Sequence, residues 1–292
     1  MSPSKRAVVV CGAALLAGCS SGGGPGTITI GAVRTGPPPA PPSGALTLAG
    51  QIRSYGVAVA VTNDQSRFHV QVSVLGSAGT GVNDLHVRIG AAAATPCGPG
   101  CYSATSPVTR TLRVAVGARS IAFPVPRPPF RSGKRILVRI DARYTRARTA
   151  VFHERLSSGP GQVVTSSWRL AAPASLSFTA SDGSSGVIIG ERRWDRQRGG
   201  RWEESPQIPR LRQPTLPWPR SPANVMRLGP SRIDGRPVVR VSFLDPRLPA
   251  WYTVSADAAT NDLVRIDMVA PAHFMHDDYR GLDVPVTVKP PR

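Results

Sequence analysis

Hydrophobic residues recur every second position in short runs, and glycine and proline break the runs apart. Phe68, Val70, Val72 and Val74 alternate with His69, Gln71 and Ser73. Leu112, Val114 and Val116 repeat the pattern, as do Ile136, Val138, Ile140 and Ala142. A period of two places one set of side chains on one face of a strand, so each run reads as a half-buried β-strand. The 29 glycines and 30 prolines supply the turns between them. Gly76-Ser77-Ala78-Gly79, Thr95-Pro96 and Pro124 to Pro129 are such breaks. No stretch reads as a long helix. Many short strands at this spacing predict a mainly β chain that opens with an immunoglobulin-like sandwich.

The chain has 292 residues, and its first part predicts an address. Lys5 and Arg6 precede an apolar run from Ala7 to Leu16, followed by Leu16-Ala17-Gly18-Cys19. This is the layout of a signal peptide with a lipoprotein processing box. The run is shorter than the roughly 20 apolar residues that span a bilayer. Residues 1–18 are therefore expected to be a signal peptide, with acyl groups on Cys19 anchoring the chain at the extracytoplasmic face of the cell membrane. An ordinary secretory signal with a chance cysteine is the alternative. Residues 19–45 are rich in glycine and proline, include Pro37-Pro38-Pro39-Ala40-Pro41-Pro42, and read as a tether.

Charge and cysteine narrow the function classes. The 36 lysines and arginines exceed the 17 acids, and only Lys5, Lys134 and Lys289 are lysines. Residues 20–150 hold 15 basic and 3 acidic side chains, while 151–292 hold 19 and 14. In an exported protein this basic surface points to anionic lipid headgroups or an anionic envelope polymer rather than nucleic acid. A solvated arginine-rich face with no partner is the alternative. Cys97 and Cys101, in Cys-Gly-Pro-Gly-Cys, are spaced for a local disulfide in an oxidising compartment.

Ser157-Ser158-Gly159-Pro160-Gly161 interrupts the strand pattern, and the composition changes after it. All five tryptophans and 14 of the 17 acids lie beyond it. The expected organisation is thus a β-sandwich domain over 46–156 and a second β domain over 157–292. Strands are expected at Val163–Leu170, Leu176–Ala180, Gly186–Ile189, Val238–Phe243, Trp251–Ala256, Leu263–Ala270 and Val284–Val288. Asp257–Asp262 reads as a hairpin loop, and Glu203 to Pro222 as a loop that wraps the sheet.

Ala172-Pro173-Ala174-Ser175-Leu176-Ser177-Phe178, then Ile188-Ile189-Gly190 and Arg193-Trp194, resemble the LolA/LppX/RseB-type half-barrel. Trp251-Tyr252-Thr253-Val254 with Asp257, Thr260 and Leu263 resembles a hairpin of the same family. This resemblance implies a C-terminal antiparallel half-barrel sheet holding a lipid or other amphipathic ligand. Glu154-Arg155-Leu156-Ser157-Ser158, Ile189 to Trp194, Val241 to Asp245 and Ala272-His273-Phe274-Met275 resemble the extracytoplasmic tail of CopD-type copper-transport proteins. That resemblance implies an accessory to a membrane transporter, with copper as a possible cargo.

The candidate site residues follow from these readings. Trp168, Trp194 and Trp251 are expected to line a ligand cavity, with Arg192, Arg193, Arg196, Arg198 and Arg201 near its mouth, or else to fill a core. His273, Met275 and His276 offer imidazole and thioether ligands suited to copper. On a regular strand, however, His273 and Met275 share one face while His276 takes the other. His69, His86 and His153 are scattered. No Gly-x-Ser-x-Gly elbow, His-Glu-x-x-His, P-loop or dinucleotide fingerprint occurs, so a binding or accessory module is expected rather than an enzyme. Envelope sensing through protein contact is a further alternative.

Overall fold

The computed structural model describes residues 36–64, 66–76, 80–159, 162–248, 250–270 and 273–292. The expected signal peptide and Cys19 lie outside the described residues. The architecture is mainly antiparallel β: a two-sheet sandwich followed by one large sheet.

The sandwich comprises β1 (Leu46–Ile52), β2 (Tyr55–Asp64), β3 (Arg67–Leu75), β4 (Val87–Ile89), β5 (Ala92–Ala93), β6 (Thr95–Gly98), β7 (Cys101–Pro107), β8 (Thr111–Val116) and β9 (Arg119–Pro124). One sheet runs β1-β2-β3-β7-β6 and the other β5-β4-β8-β9. Their shared core takes the inward set of each alternation: Val59, Phe68 and Val72 meet Ile89, Leu112 and Val114. The Tyr102 hydroxyl donates to the Val82 carbonyl (2.9 Å) and accepts from the Leu85 N–H (3.0 Å), pinning the β3–β4 connection. Cys97 and Cys101 form the expected disulfide, across Cα atoms 5.0 Å apart.

Next comes a helix, α1 (Lys134–Arg146), where the sequence suggests a strand. The apolar residues at 136, 138, 140 and 142 fit a period of two. Ile136, Leu137, Ile140 and Tyr144 fit a helical stripe better, and these four are the buried ones. Val138, inward-facing in the strand reading, is 63% exposed. Arg143 and Arg146 in the last turn complement the negative end of the helix dipole.

The large sheet is built from β10 (Thr149–Gly159), β11 (Gln162–Ala171), β12 (Ser175–Ala180), β13 (Ser185–Ile189), β14 (Arg192–Arg196), β15 (Glu203–Pro206), β16 (Ala223–Ile233), β17 (Arg236–Asp245), β18 (Ala250–Asp257), β19 (Leu263–Ala270) and β20 (His273–Leu282). Its order is β15-β14-β13-β12-β11-β10-β20-β19-β18-β17-β16. Two antiparallel meanders are thus joined where β20 returns to β10. With α1 on one face, this is the half-barrel element. The interruption expected at Ser157–Gly161 falls between β10 and β11, which pair along their whole length. The sheet therefore begins at Thr149, ahead of that interruption. Val284–Val288 is extended but joins no ladder, contrary to the strand expected there. Val284, Val286 and Val288 are half-buried while Pro285, Thr287 and Lys289 are exposed, so the period of two reports packing without pairing.

The sandwich and the large sheet share an apolar interface. Ala49, Ala58 and Leu75 pack against Leu244, Trp251, Val269 and Phe274. This explains why β2 is buried on both faces: its valines enter the sandwich core and Ala58 meets the large sheet. Gly56 has no side chain where the Phe274 ring and Val269 Cγ1 would collide with a Cβ. Arg34–Arg292 cluster as one compact unit. Among the described residues no helix is long and apolar enough to cross a membrane.

Candidate functional site

Residues opposite one another in a ladder share a face, so the register sorts the side chains of the large sheet into two sets. Val254, Ile266, Asp277, Glu154 and Ser166 follow one another across five strands on the face that carries α1. Aromatic rings form a continuous row on that face. Phe178, Trp168, Phe152 and Tyr279 stack at centroid spacings of 4.8, 5.9 and 4.9 Å. Tyr144 of α1 meets Tyr279 edge-on at 6.1 Å. Trp218, from the loop between β15 and β16, bridges Tyr144 and Phe243 and donates its indole N–H to Asp141 Oδ1 (2.9 Å). The protein's own helix and loop thus occupy much of the face where the half-barrel resemblance implies a ligand.

Beside this row two carboxylates stand directly opposite each other. Glu154 Oε2 accepts hydrogen bonds from Trp168 Nε1 (2.7 Å) and Ser166 Oγ (2.8 Å). Asp277, its cross-strand partner, is 3% exposed, and its Oδ1 has no hydrogen-bond partner. Loss of solvent, followed by the nearby Glu154, pushes the Asp277 carboxyl up to about 8.

The opposite face carries the histidine. His276 Nδ1 lies 2.6 Å from Asp267 Oδ1 and Nε2 lies 3.1 Å from Asp278 Oδ2, while Arg265 Nε donates to Asp278 at 2.8 Å. Donation of a hydrogen bond to the Asp267 carboxylate raises the imidazole pKa above its usual range. Met275 faces the other way, opposite Met268 and Leu156. Because β20 continues as a strand to Leu282, His273 and Met275 share the α1 side and His276 is separated from them by the sheet. Among the described residues no three His, Cys, Asp or Glu side chains are grouped to hold a metal ion. His69 stands 3.8 Å from Asp64, far along the chain from His153, whose Nδ1 is 2.9 Å from Ser167 Oγ.

The three tryptophans expected in one cavity are also split. Trp168 is half-buried on the α1 side. Trp251 is on the other face and sealed in the sandwich interface. Trp194 is buried beneath the Arg192 guanidinium (4.7 Å to the ring centroid) and donates to Glu204 Oε2 (3.1 Å). Their common feature is the sheet, not a cavity.

A groove of about 370 Å³ does exist, on the face away from α1, where the sandwich does not cover β11–β14. Its floor holds Ser167, Arg169, Ser177 and Thr179; Arg196 and Trp202 form one wall, and Lys289 of the C-terminal segment reaches it from the other side. The Arg196 guanidinium lies over the Trp202 ring at 4.8 Å. The lining residues include three cations and no carboxylate. Of the five arginines expected near a ligand, only Arg196 lines this groove. Arg192 grips Glu204 through two hydrogen bonds (2.8 and 3.0 Å), Arg193 pairs with Asp195, and Arg198 donates to the Asp182 carbonyl (2.9 Å). Arg169 and Lys289 are groove residues that the sequence reading passes over. The available signal is the polar half of the alternation, Ser167/Arg169 beside Ser177/Thr179, which a search for apolar cavities ignores.

No protein-family model matches the chain, and no curated protein matches it. Among solved structures, a LolA superfamily protein from Nitrosomonas europaea is similar at 10% identity and a TM-score of 0.25. The likeness covers 54% of this chain and 95% of that one. A similarity this distant carries no argument about function.

Proposed function

We propose that this protein is a lipid-anchored extracytoplasmic binding protein whose groove over β11–β14 takes the anionic end of an amphipathic ligand. The observation that carries the reading is the convergence of Arg169, Arg196 and Lys289 with no carboxylate among the lining residues. Guanidinium groups hold phosphate or carboxylate by charge-assisted hydrogen bonds, and the serine and threonine hydroxyls of the floor add neutral ones. Val187, Val288 and Trp202 give the same groove an apolar component, and its volume falls in the range of small-molecule sites. Acyl groups on Cys19 hold the protein at the membrane. Copper binding is not favoured by this geometry, because Met275 and His276 project from opposite faces.

Native mass spectrometry of the compact unit 34–292 tests the groove. An anionic amphiphile is expected to co-purify with the wild type and to be lost from Arg169→Gln/Arg196→Gln. A wild-type spectrum without adduct, or an adduct retained by the variant, rejects the reading. The anchor has its own test: after a wash in 0.5 M salt, Cys19→Ser is expected to leave the full chain in the soluble fraction while the wild type stays with the membrane, and equal retention of the two rejects it.

A further inference from the structure

The side of the large sheet that carries α1 presents the outer face of the helix to solvent, and the loop 207–222 reaches the helix from the strand ends of β11–β14, where Gln207 and Leu211 donate backbone N–H bonds to Glu191 and Gly190. Trp218 fastens them together through Asp141. Both come from acid-poor stretches: no Asp or Glu occurs between Asp84 and Asp141, and none between Glu204 and Asp234. Asp141, the one acid of α1, is engaged by the indole. Lys134, Arg135, Arg139 and Arg146 are exposed on the helix, and Arg210 and Arg212 on the loop. Amid the helix cations stands a bare branched side chain, Val138 at 63% exposure. Among the described residues none of the six cations forms a salt bridge with a carboxylate.

From this surface we infer that the α1 side docks on an anionic lipid bilayer, with the helix cations over the headgroups and Val138 entering the interface. The inference rests on the reading of Cys19 as an acyl anchor. A polybasic patch is the second signal that strengthens acyl-mediated attachment. A soluble acidic partner would be matched by the charge but gives Val138 no comparable place. Residues 36–45 are tied to the body, with the Gly36 carbonyl accepting from the Gly81 N–H and the Pro39 carbonyl from Gln71. The 17 residues from 19 to 35, at about 3.5 Å per extended residue, therefore set a reach of at most roughly 60 Å, ample for the body to turn this side to the membrane. The groove, on the opposite face of the sheet, then looks away from the bilayer.

Co-sedimentation of the unit 34–292 with vesicles tests this without the anchor. The unit is expected to bind vesicles of phosphatidylcholine with a quarter phosphatidylglycerol, and not pure phosphatidylcholine, with binding weakened in 0.5 M salt. Lys134→Gln/Arg135→Gln/Arg139→Gln/Arg146→Gln should lower partitioning at least about tenfold, each cation near the surface being worth about fivefold. Val138→Ser should lower it about two- to threefold. Circular dichroism checks that each variant is folded, and the milder Arg135→Gln/Arg139→Gln replaces the fourfold variant if that one is not. Equal binding to neutral vesicles, or partitioning unchanged by the helix substitutions, overturns the inference. Loss only in Arg169→Gln/Arg196→Gln also overturns it while leaving the groove reading intact. Failure of Cys19→Ser to release the full chain removes the anchor and not the surface.

Discussion

The face of the large sheet that looks away from α1 has two halves, built on the same antiparallel ladder and differing in what covers them. At one end of β17–β20 the outward residues are Leu244, Trp251, Val269 and Phe274, and the sandwich closes on them, while Asp267, His276 and Asp278 lie farther along the same face. Over β11–β14 the corresponding positions are Ser167, Arg169, Ser177, Thr179 and Arg196, and a groove remains. Strand pairing is indifferent to this choice, because backbone hydrogen bonds are the same in both halves. The side chains decide: apolar residues require a cover, whereas hydroxyls and guanidinium groups are stable against water or an anion. The polar half is therefore where a ligand is to be sought.

Substitutions sharpen the contrast, and the largest effect is expected in the covered half. Trp251→Ala should cost about 3–5 kcal/mol of stability, as for other large-to-small changes in a closed interface, measured by denaturant unfolding. A cost under 1 kcal/mol would mean that the sandwich does not seal this half. Second is the buried Asp277 on the α1 side. Its folded pKa of about 8 stands above the ordinary carboxylate value of 3.8, so the folded state holds the proton more tightly. Its stabilising contribution is full below about pH 4 and is lost as pH rises through about 8. Asp277→Asn should flatten that decline; an unchanged pH profile would show that Asp277 ionises without penalty. His276 adds a smaller decline of the same sign. Its raised pKa gives stability that is complete below its ordinary value near 6.5 and lost as pH climbs through the raised one, and His276→Gln should remove it. The smallest effect on folding belongs to the open half. Arg169→Gln/Arg196→Gln should change stability by no more than about 0.5 kcal/mol, since no carboxylate or core contact depends on either side chain.

Most of the architecture was legible in the sequence because period-two alternation is a local signal. β3, β8, β11, β12, β13, β17, β18 and β19 lie where the runs place them. Where the period was ambiguous, tertiary packing decided. At 136–144 the stripe of Ile136, Leu137, Ile140 and Tyr144 faces the sheet as a helix, and alternation alone could not distinguish the two. β2 shows the opposite case: alternating valine and alanine looks uniformly apolar, and only the second layer reveals why both sets are buried. The candidate site was legible in kind and not in place. Aromatic and arginine residues do flank the groove as Trp202 and Arg196, but of the tryptophans singled out Trp194 and Trp251 are buried and Trp168 is half-buried on the other face. Which face of a strand is covered depends on contacts between segments some 200 residues apart, such as Ala49 with Leu244 and Trp251. Nothing local encodes it.

The central claim, that the uncovered half is a receptor for anionic amphiphiles, is tested most directly by calorimetric titration of the unit 34–292. Dihexanoyl phosphatidylglycerol, kept below its micelle concentration, is compared with dihexanoyl phosphatidylcholine. The account predicts saturable binding of the anionic lipid to one site, at least about tenfold weaker for the zwitterionic lipid and for Arg169→Gln/Arg196→Gln. Equal affinity for both lipids, or anionic binding that survives loss of both arginines, would contradict it.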